Sequence, residues 1–210
     1  MSADVYSELA EAGVATVYEA YGRRGLLDVD LHPLATGQRA AGPARIALCG
    51  QDDNRAVHEV MAHLRPGEIL VLTMPQAAPV ALFGDLLATQ ARTVGAAGVL
   101  VNAAVRDSAE LTGSGMPVWA RWRRATGATK DIRGSVNVPV HIGGTLIHPG
   151  DVIVLDDDGA TAIVQSEVDE ALTAVRERMA KEDGLRERWA SGELSYDAYG
   201  MRANDEMATT

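Results

Sequence analysis

Residues 84–107 read GDLLATQARTVGAAGVLVNAAVRD, and this run joins a helix to a strand with a chemical group at each end. Gly84 and Asp85 open a helix whose first amides have no partner within it. Gly95 and Gly98 turn that helix into an apolar strand, Val99-Leu100-Val101, which delivers Arg106 and Asp107 to its far end. A free helix N-terminus accepts an anion. Arginine can clamp a carboxylate with two hydrogen bonds, and aspartate offers oxygen to a divalent ion. Taken singly, Gly-Asp also serves as a turn and cap, and an Arg-Asp pair as a surface ion pair. Their order along one unit makes a pocket for a metal-bound oxo acid the sharper expectation.

The rest of the chain is expected to continue this alternation. Helical spacing covers 5–24 and 54–64, the second stopped by Pro66-Gly67. Short apolar strands are expected over 40–48 and 68–73. Helix followed by strand points to an α/β fold. Further on, 135–141, 145–147 and 152–155 read as short strands, with Pro139 marking an edge or an interruption. Asp156-Asp157-Asp158-Gly159 reads as a hairpin turn with Asp-Gly at its tip. From Ser166 onward the chain is helical and highly charged to about Gly192, followed by a tail with Tyr196 and Tyr199 as anchors.

Composition narrows the function classes. A formal charge of −10 opposes nonspecific binding to nucleic acid. Hydrophobic residues make up 47% of the chain, enough for a sizeable core of Ala, Val, Leu and Gly. No charged-then-apolar leader and no bilayer-spanning apolar run stand in the sequence, and the lone Cys49 fits a reducing compartment, so the expected location is cytoplasmic. Apolar neighbours make Cys49 a core residue and not a nucleophile. Lys130 and Lys181 are the only lysines and both lie in polar surroundings, which favours a metal route over a Schiff base. His58 and His141 read as structural, and no zinc pattern is present. The basic residues between Arg121 and Arg133 form either a positive pocket on a negative body or a solvated loop.

Beyond the 84–107 run, the blocks GVATVYEAYGRRGLLD, DDNRAVHEVMAHLRPGEILVL, PVWARWRRATGATKDIRGSVNVPV and HPGDVIVLDDDG stand in one order along the chain. With the tail WASGELSYDAYGMR, these resemble the RraA-like family over 13–202. The resemblance is to its branch of 4-hydroxy-4-methyl-2-oxoglutarate / 4-carboxy-4-hydroxy-2-oxoadipate aldolases. It implies a β/β/α swivelling-type sandwich over 1–165 and a C-terminal helix and docking tail over 166–210 that packs on a neighbouring subunit of a trimer or hexamer. The implied partners are therefore a small oxo acid and further copies of the chain, with neither nucleic acid nor membrane. The implied activity is divalent-metal-dependent cleavage of a 4-hydroxy-2-oxo di- or tricarboxylic acid to pyruvate and a second oxo acid, as in aromatic-compound degradation. Oxaloacetate decarboxylation is the implied side activity. A shorter branch of the family acts as non-enzymatic regulators of a ribonuclease; that is one alternative, and a family member retuned to another oxo-acid substrate is the other.

Carried over position by position, Asp107 matches the ligand of Mg²⁺ or Mn²⁺, and Arg106 matches the arginine that binds the oxo acid and steadies the enolate. Asp85 falls where an acidic residue positions water beside the metal. Gly84 and the amides of Leu86 and Leu87 grip the substrate carboxylate, and Glu182 supplies a further carboxylate from a neighbouring subunit. Ala103, Arg123 and Arg124 depart from the family pattern, Ala103 as an added methyl expected near the pocket, the arginines as a change in preference for the second carboxylate.

Overall fold

The computed structural model describes residues 3–208. In chain order the elements are α1 (Ala3–Ala20), β1 (His32–Pro33), β2 (Ala40–Leu48), α2 (Arg55–Val60), β3 (Ile69–Thr73), β4 (Ala81–Phe83), α3 (Asp85–Val94) and β5 (Gly98–Val105). Then come α4 (Ser108–Gly113), β6 (Val118–Arg123), β7 (Ser135–Val136), β8 (Val140–Ile142), β9 (Thr145–Ile147), β10 (Val152–Asp156) and β11 (Gly159–Ile163). A 3₁₀ turn at Gln165–Glu167 leads into α5 (Val168–Ala190), α6 (Ser195–Ala198) and α7 (Met201–Ala208). The chain forms two compact units that divide between Val175 and Arg176, within the length of α5. Among the described residues no helix is long and apolar enough to cross a membrane.

The first unit is built on a sheet ordered β1-β6-β5-β3-β2-β10-β11, with β4 added to β5 and β7 to β2. The β6-β5-β3-β2 centre is parallel and its flanks are antiparallel. Side chains alternate across a strand, so a central strand buried on both faces must be apolar throughout. On one face Ala47, Leu70, Leu72, Val99, Val101 and Val105 pack against Ala56, Val57 and Val60 of α2, Leu87, Ala88 and Ala91 of α3, and Leu111 of α4. On the other, Ile46, Ile69, Val71 and Leu100 meet Trp119, Val140, Ile147, Ile153 and Leu155. The layers are helices, parallel sheet, and a second β layer from the β8-β9 and β10-β11 hairpins. This is the expected β/β/α swivelling-type sandwich, with helices at its C-terminus. Each fully buried Leu, Ile or Val contributes about 1.5–3 kcal/mol relative to exposure.

Several local outcomes differ from the sequence reading. The expected helix over 5–24 is kinked at Gly13, where φ is 81° and ψ is 165°. Asp156 explains the break, because its Oδ2 accepts the Val14 amide at 2.8 Å and so caps the helix that restarts there. The helix expected over 54–64 stops at Val60, and the chain goes on in tighter turns, with Ala62 bonding Glu59 at 3.2 Å and His63 bonding Val60 at 2.9 Å. The strand expected over 135–141 is interrupted before Val140. Asp156 and Asp157 are occupied by the fold, accepting Asp158 and Gly37 amides, which agrees with a turn. Cys49 is buried, and burial pushes its thiol up to about 12, as suits an inert core residue. Ala103 is fully buried in the helix-side core and lines neither of the clefts described below, so its methyl fills the core and does not narrow the pocket.

Within the second unit, Trp189 and Tyr199 meet edge to face at 6.3 Å, and Tyr196 donates to Asp205 at 2.6 Å. Glu182 is flanked there by Arg178 at 2.8 Å and Arg186 at 3.6 Å. Leu194, Met201 and Met207 of this unit are exposed.

Candidate functional site

The site forms where β4 and β5 end side by side. Arg106 donates its amide to the Phe83 carbonyl at 3.1 Å, which sets the chain leaving β5 against the chain leaving β4. Gly84 then starts α3, and buried Leu87, Ala88 and Ala91 hold that helix on the sheet. Asp107 takes the left-handed conformation, φ 57° and ψ 45°, one that aspartate tolerates better than most residues. Its carbonyl accepts the Leu111 amide at 2.9 Å and begins α4.

These turns bring two ends of the 84–107 run together. Asp107 Oδ2 accepts the Asp85 amide at 3.2 Å and lies 3.5 Å from Arg106 Nε. A methylene at Gly84 would sit 2.7 Å from that same oxygen and 3.0 Å from Arg106 Cγ, so the close approach requires glycine. Gly84 has φ −160°, an ordinary extended value, and it is space that excludes a side chain. The next amides, of Leu86 and Leu87, belong to the first turn of α3 and have no acceptor within the helix.

A cleft of about 130 Å³ opens here, lined by Gly84, Leu86, Leu87, Arg106 and Asp107 together with Asn54, His58 and Lys130. Of the residues expected at the site, Asp85 contributes its backbone amide to Asp107 and its side chain lines neither cleft. Glu182 belongs to the second unit.

Asn54, His58 and Lys130 were not singled out by the sequence as cleft residues. Asp53 brings them there. Fully buried, it accepts Arg55 N at 2.8 Å, Thr129 Oγ1 at 2.7 Å, Asp131 N at 2.6 Å and Ile132 N at 3.1 Å. Burial raises its pKa, but these donors outweigh burial and hold the carboxyl down at about 2. The 126–134 loop is thereby fastened beside α2, and Ala81 and Asn54 add backbone bonds to Thr126 and Thr129. Asn54 Nδ2 donates to the Leu82 carbonyl at 3.1 Å, while its buried Oδ1 has no protein partner. Partial burial, then the charge of Lys130, lower the pKa of His58 against the opposing pull of Asp53. One signal for Asn54 existed in the sequence. Three adjacent cap-type residues, Asp52, Asp53 and Asn54, precede α2, and one suffices to start a helix.

Among the described residues no three or more His, Cys, Asp and Glu side chains gather as a metal group. A single half-exposed aspartate nevertheless fits Mg²⁺ or Mn²⁺, hard ions that keep several waters and complete their shell with substrate oxygens.

The layered fold, with its Arg-Asp pair at the end of a central parallel strand, is that of a swivelling α/β sandwich. The chain belongs to the RraA-like family, whose model, described as Aldolase/RraA, matches residues 8–162. A relative from Halalkalibacterium halodurans, provisionally named a 4-hydroxy-4-methyl-2-oxoglutarate aldolase, is 33% identical over 158 residues, 75% of each chain. The structure of Streptomyces coelicolor RraAS2, described as an unusual member of the RNase ES inhibitor RraA protein family, superposes with a TM-score of 0.77 at 26% identity, covering 89% of this chain and 97% of that one. An uncharacterized protein from Pseudomonas syringae pv. tomato shares the fold, with a TM-score of 0.83 at 22% identity over 95% and 98% of the two chains.

Proposed function

We propose that the protein is a divalent-metal-dependent lyase that cleaves a 4-hydroxy-2-oxo di- or tricarboxylic acid to pyruvate and a second oxo acid. The observation that carries this reading is the Asp107 carboxylate held by the Asp85 amide beside Arg106 at the free N-terminus of α3. The amides of Leu86 and Leu87 receive the C1 carboxylate, and Arg106 faces the C2 oxygen. Breaking the C3–C4 bond sends its electron pair toward that oxygen, where a nearby guanidinium lowers the barrier. The C4 hydroxyl gives up its proton as it becomes the carbonyl of the second product, and C3 is then protonated to give pyruvate. Asp107 would hold a Mg²⁺ or Mn²⁺ ion, which when bound would supply Lewis-acid withdrawal of the charge that develops on the substrate. In a trimer or hexamer the second unit packs on a neighbouring copy, and Glu182 serves that copy's site by accepting the hydroxyl proton through water. Oxaloacetate shares the same enolate, which makes its decarboxylation a side activity.

The test is pyruvate release from 4-carboxy-4-hydroxy-2-oxoadipate, 4-hydroxy-4-methyl-2-oxoglutarate and oxaloacetate, with Mg²⁺ or Mn²⁺ and then with EDTA. Release that needs the metal supports the lyase. No release from any of them supports the second reading, a regulator that binds a ribonuclease, which the similarity to the Streptomyces protein favours. Gly84→Ala gives an independent check. Its methyl would displace the Asp107 carboxylate, and a displacement costing about 1.4 kcal/mol lowers Mn²⁺ affinity about tenfold. Calorimetric titration with Mn²⁺ that shows equal affinity in the variant would place the metal elsewhere.

A further inference from the structure

Arg106 and Asp107 form a partition with a cleft on each side. The one described above holds the α3 N-terminus. The other, about 440 Å³, is lined by Arg106, Asp107, Ser108, Arg123 and Arg124. We infer that Arg123 and Arg124 are specificity-determining residues, forming a carboxylate subsite that favours oxo acids with two carboxylates beyond the cleaved bond over those with one. This rests on the function proposed above and goes further by naming the groups that read the departing half of the substrate.

Three observations carry the inference. Both arginines are held in place by the backbone. Arg123 Nη2 donates to the carbonyls of Pro33 at 3.4 Å and Leu34 at 3.3 Å, while the Arg124 amide is tied to Val105 at 2.9 Å and its Nη1 to the Arg123 carbonyl at 2.8 Å. Next, the cleft is lined by three arginines and a single acidic residue in a chain whose net charge is −10, a local reversal of sign. Among the described residues no acidic side chain forms an ion pair with Arg123 or Arg124, so their charge is left for a ligand. Finally, the cleft shares Arg106 and Asp107 with the smaller one. A substrate whose pyruvyl end lies at the α3 N-terminus thus has its C4 substituents directed to the partition and beyond it. In 4-carboxy-4-hydroxy-2-oxoadipate those substituents carry two carboxylates, and in 4-hydroxy-4-methyl-2-oxoglutarate they carry one. Arginine pairs with carboxylate through two parallel hydrogen bonds, so a second arginine discriminates only if a second carboxylate is present.

The experiment compares wild type with Arg123→Ala, Arg124→Ala and the double variant, measuring kcat and KM on both substrates with Mg²⁺. The ratio of kcat/KM for the tricarboxylate over the dicarboxylate is expected to fall about tenfold for each arginine removed, mainly through KM. Arg124→Lys should recover part of the loss, since it restores charge without the fork. Equal losses on both substrates, or none, would overturn the subsite. Should the wild type release no pyruvate at all, the proposed activity fails, and calorimetric titration with tricarballylate decides the subsite separately. Binding to the wild type that weakens at least about tenfold in the double variant upholds it. Equal binding, or none to the wild type, overturns it.

Discussion

Asp107→Asn is expected to lower metal-dependent pyruvate release by about a thousandfold, equivalent to about 4 kcal/mol of barrier. The substitution removes the ionised oxygen that faces the Asp85 amide and Arg106 while keeping nearly the same shape. Asparagine also tolerates the left-handed backbone at this position, whereas alanine there adds about 1 kcal/mol or more of strain. The asparagine variant therefore separates chemistry from folding, and its melting temperature should stay within a few degrees of wild type. Steady-state assays with saturating Mg²⁺ or Mn²⁺ check the result, and Asp107→Ala should match it in activity. A variant that keeps more than a tenth of the wild-type rate would remove Asp107 from the reaction.

The second large effect lies away from the chemistry. Asp53→Ala is expected to destabilise the protein by at least about 3 kcal/mol, because it removes a fully buried carboxylate that accepts from the Thr129 hydroxyl and from the Arg55, Asp131 and Ile132 amides. The effect depends on pH with a definite sign. The Asp53 pKa is lowered from 3.8 to about 2 in the fold, so its contribution is fully present above the unfolded value and disappears as pH falls toward 2. Urea unfolding at pH 5 and at pH 2.5 should show the gap between wild type and variant shrinking by roughly 2 kcal/mol. A gap that stays constant would mean that the carboxylate is not what holds the 126–134 loop.

Those two residues also mark the boundary of what a sequence can disclose. β2, α3 and the middle of β5 carry strong local signals, apolar runs and glycine stops, and the structure places them as expected. β1 and β4 are two and three residues long and exist only through pairing with distant strands, which no local pattern records. β6 ends in Arg121 and Arg123, with Arg124 just beyond, and so looked like part of a charged loop, although its first three residues are buried between β5 and β1. At the site, Gly84 and Asp107 were readable because one helix and one strand join them. Lys130 and Asn54 were not, since a buried carboxylate 76 to 79 residues away from its partners in the chain sets their approach.

The burial of β5 has a consequence for how such a protein could acquire new substrates. Every residue from Gly98 to Val105 is buried, so variation within the strand that leads to Arg106 and Asp107 erodes the core. β6 leaves the core after Ala120, and its end at Arg123 is open to solvent, as are Arg124 and Ala125. Exposed positions of that kind tolerate substitution within about 0.5 kcal/mol. The layout separates an immutable wall from an editable one. A directed-evolution library confined to residues 123–125 could search for altered substrate range while nearly every member still folds.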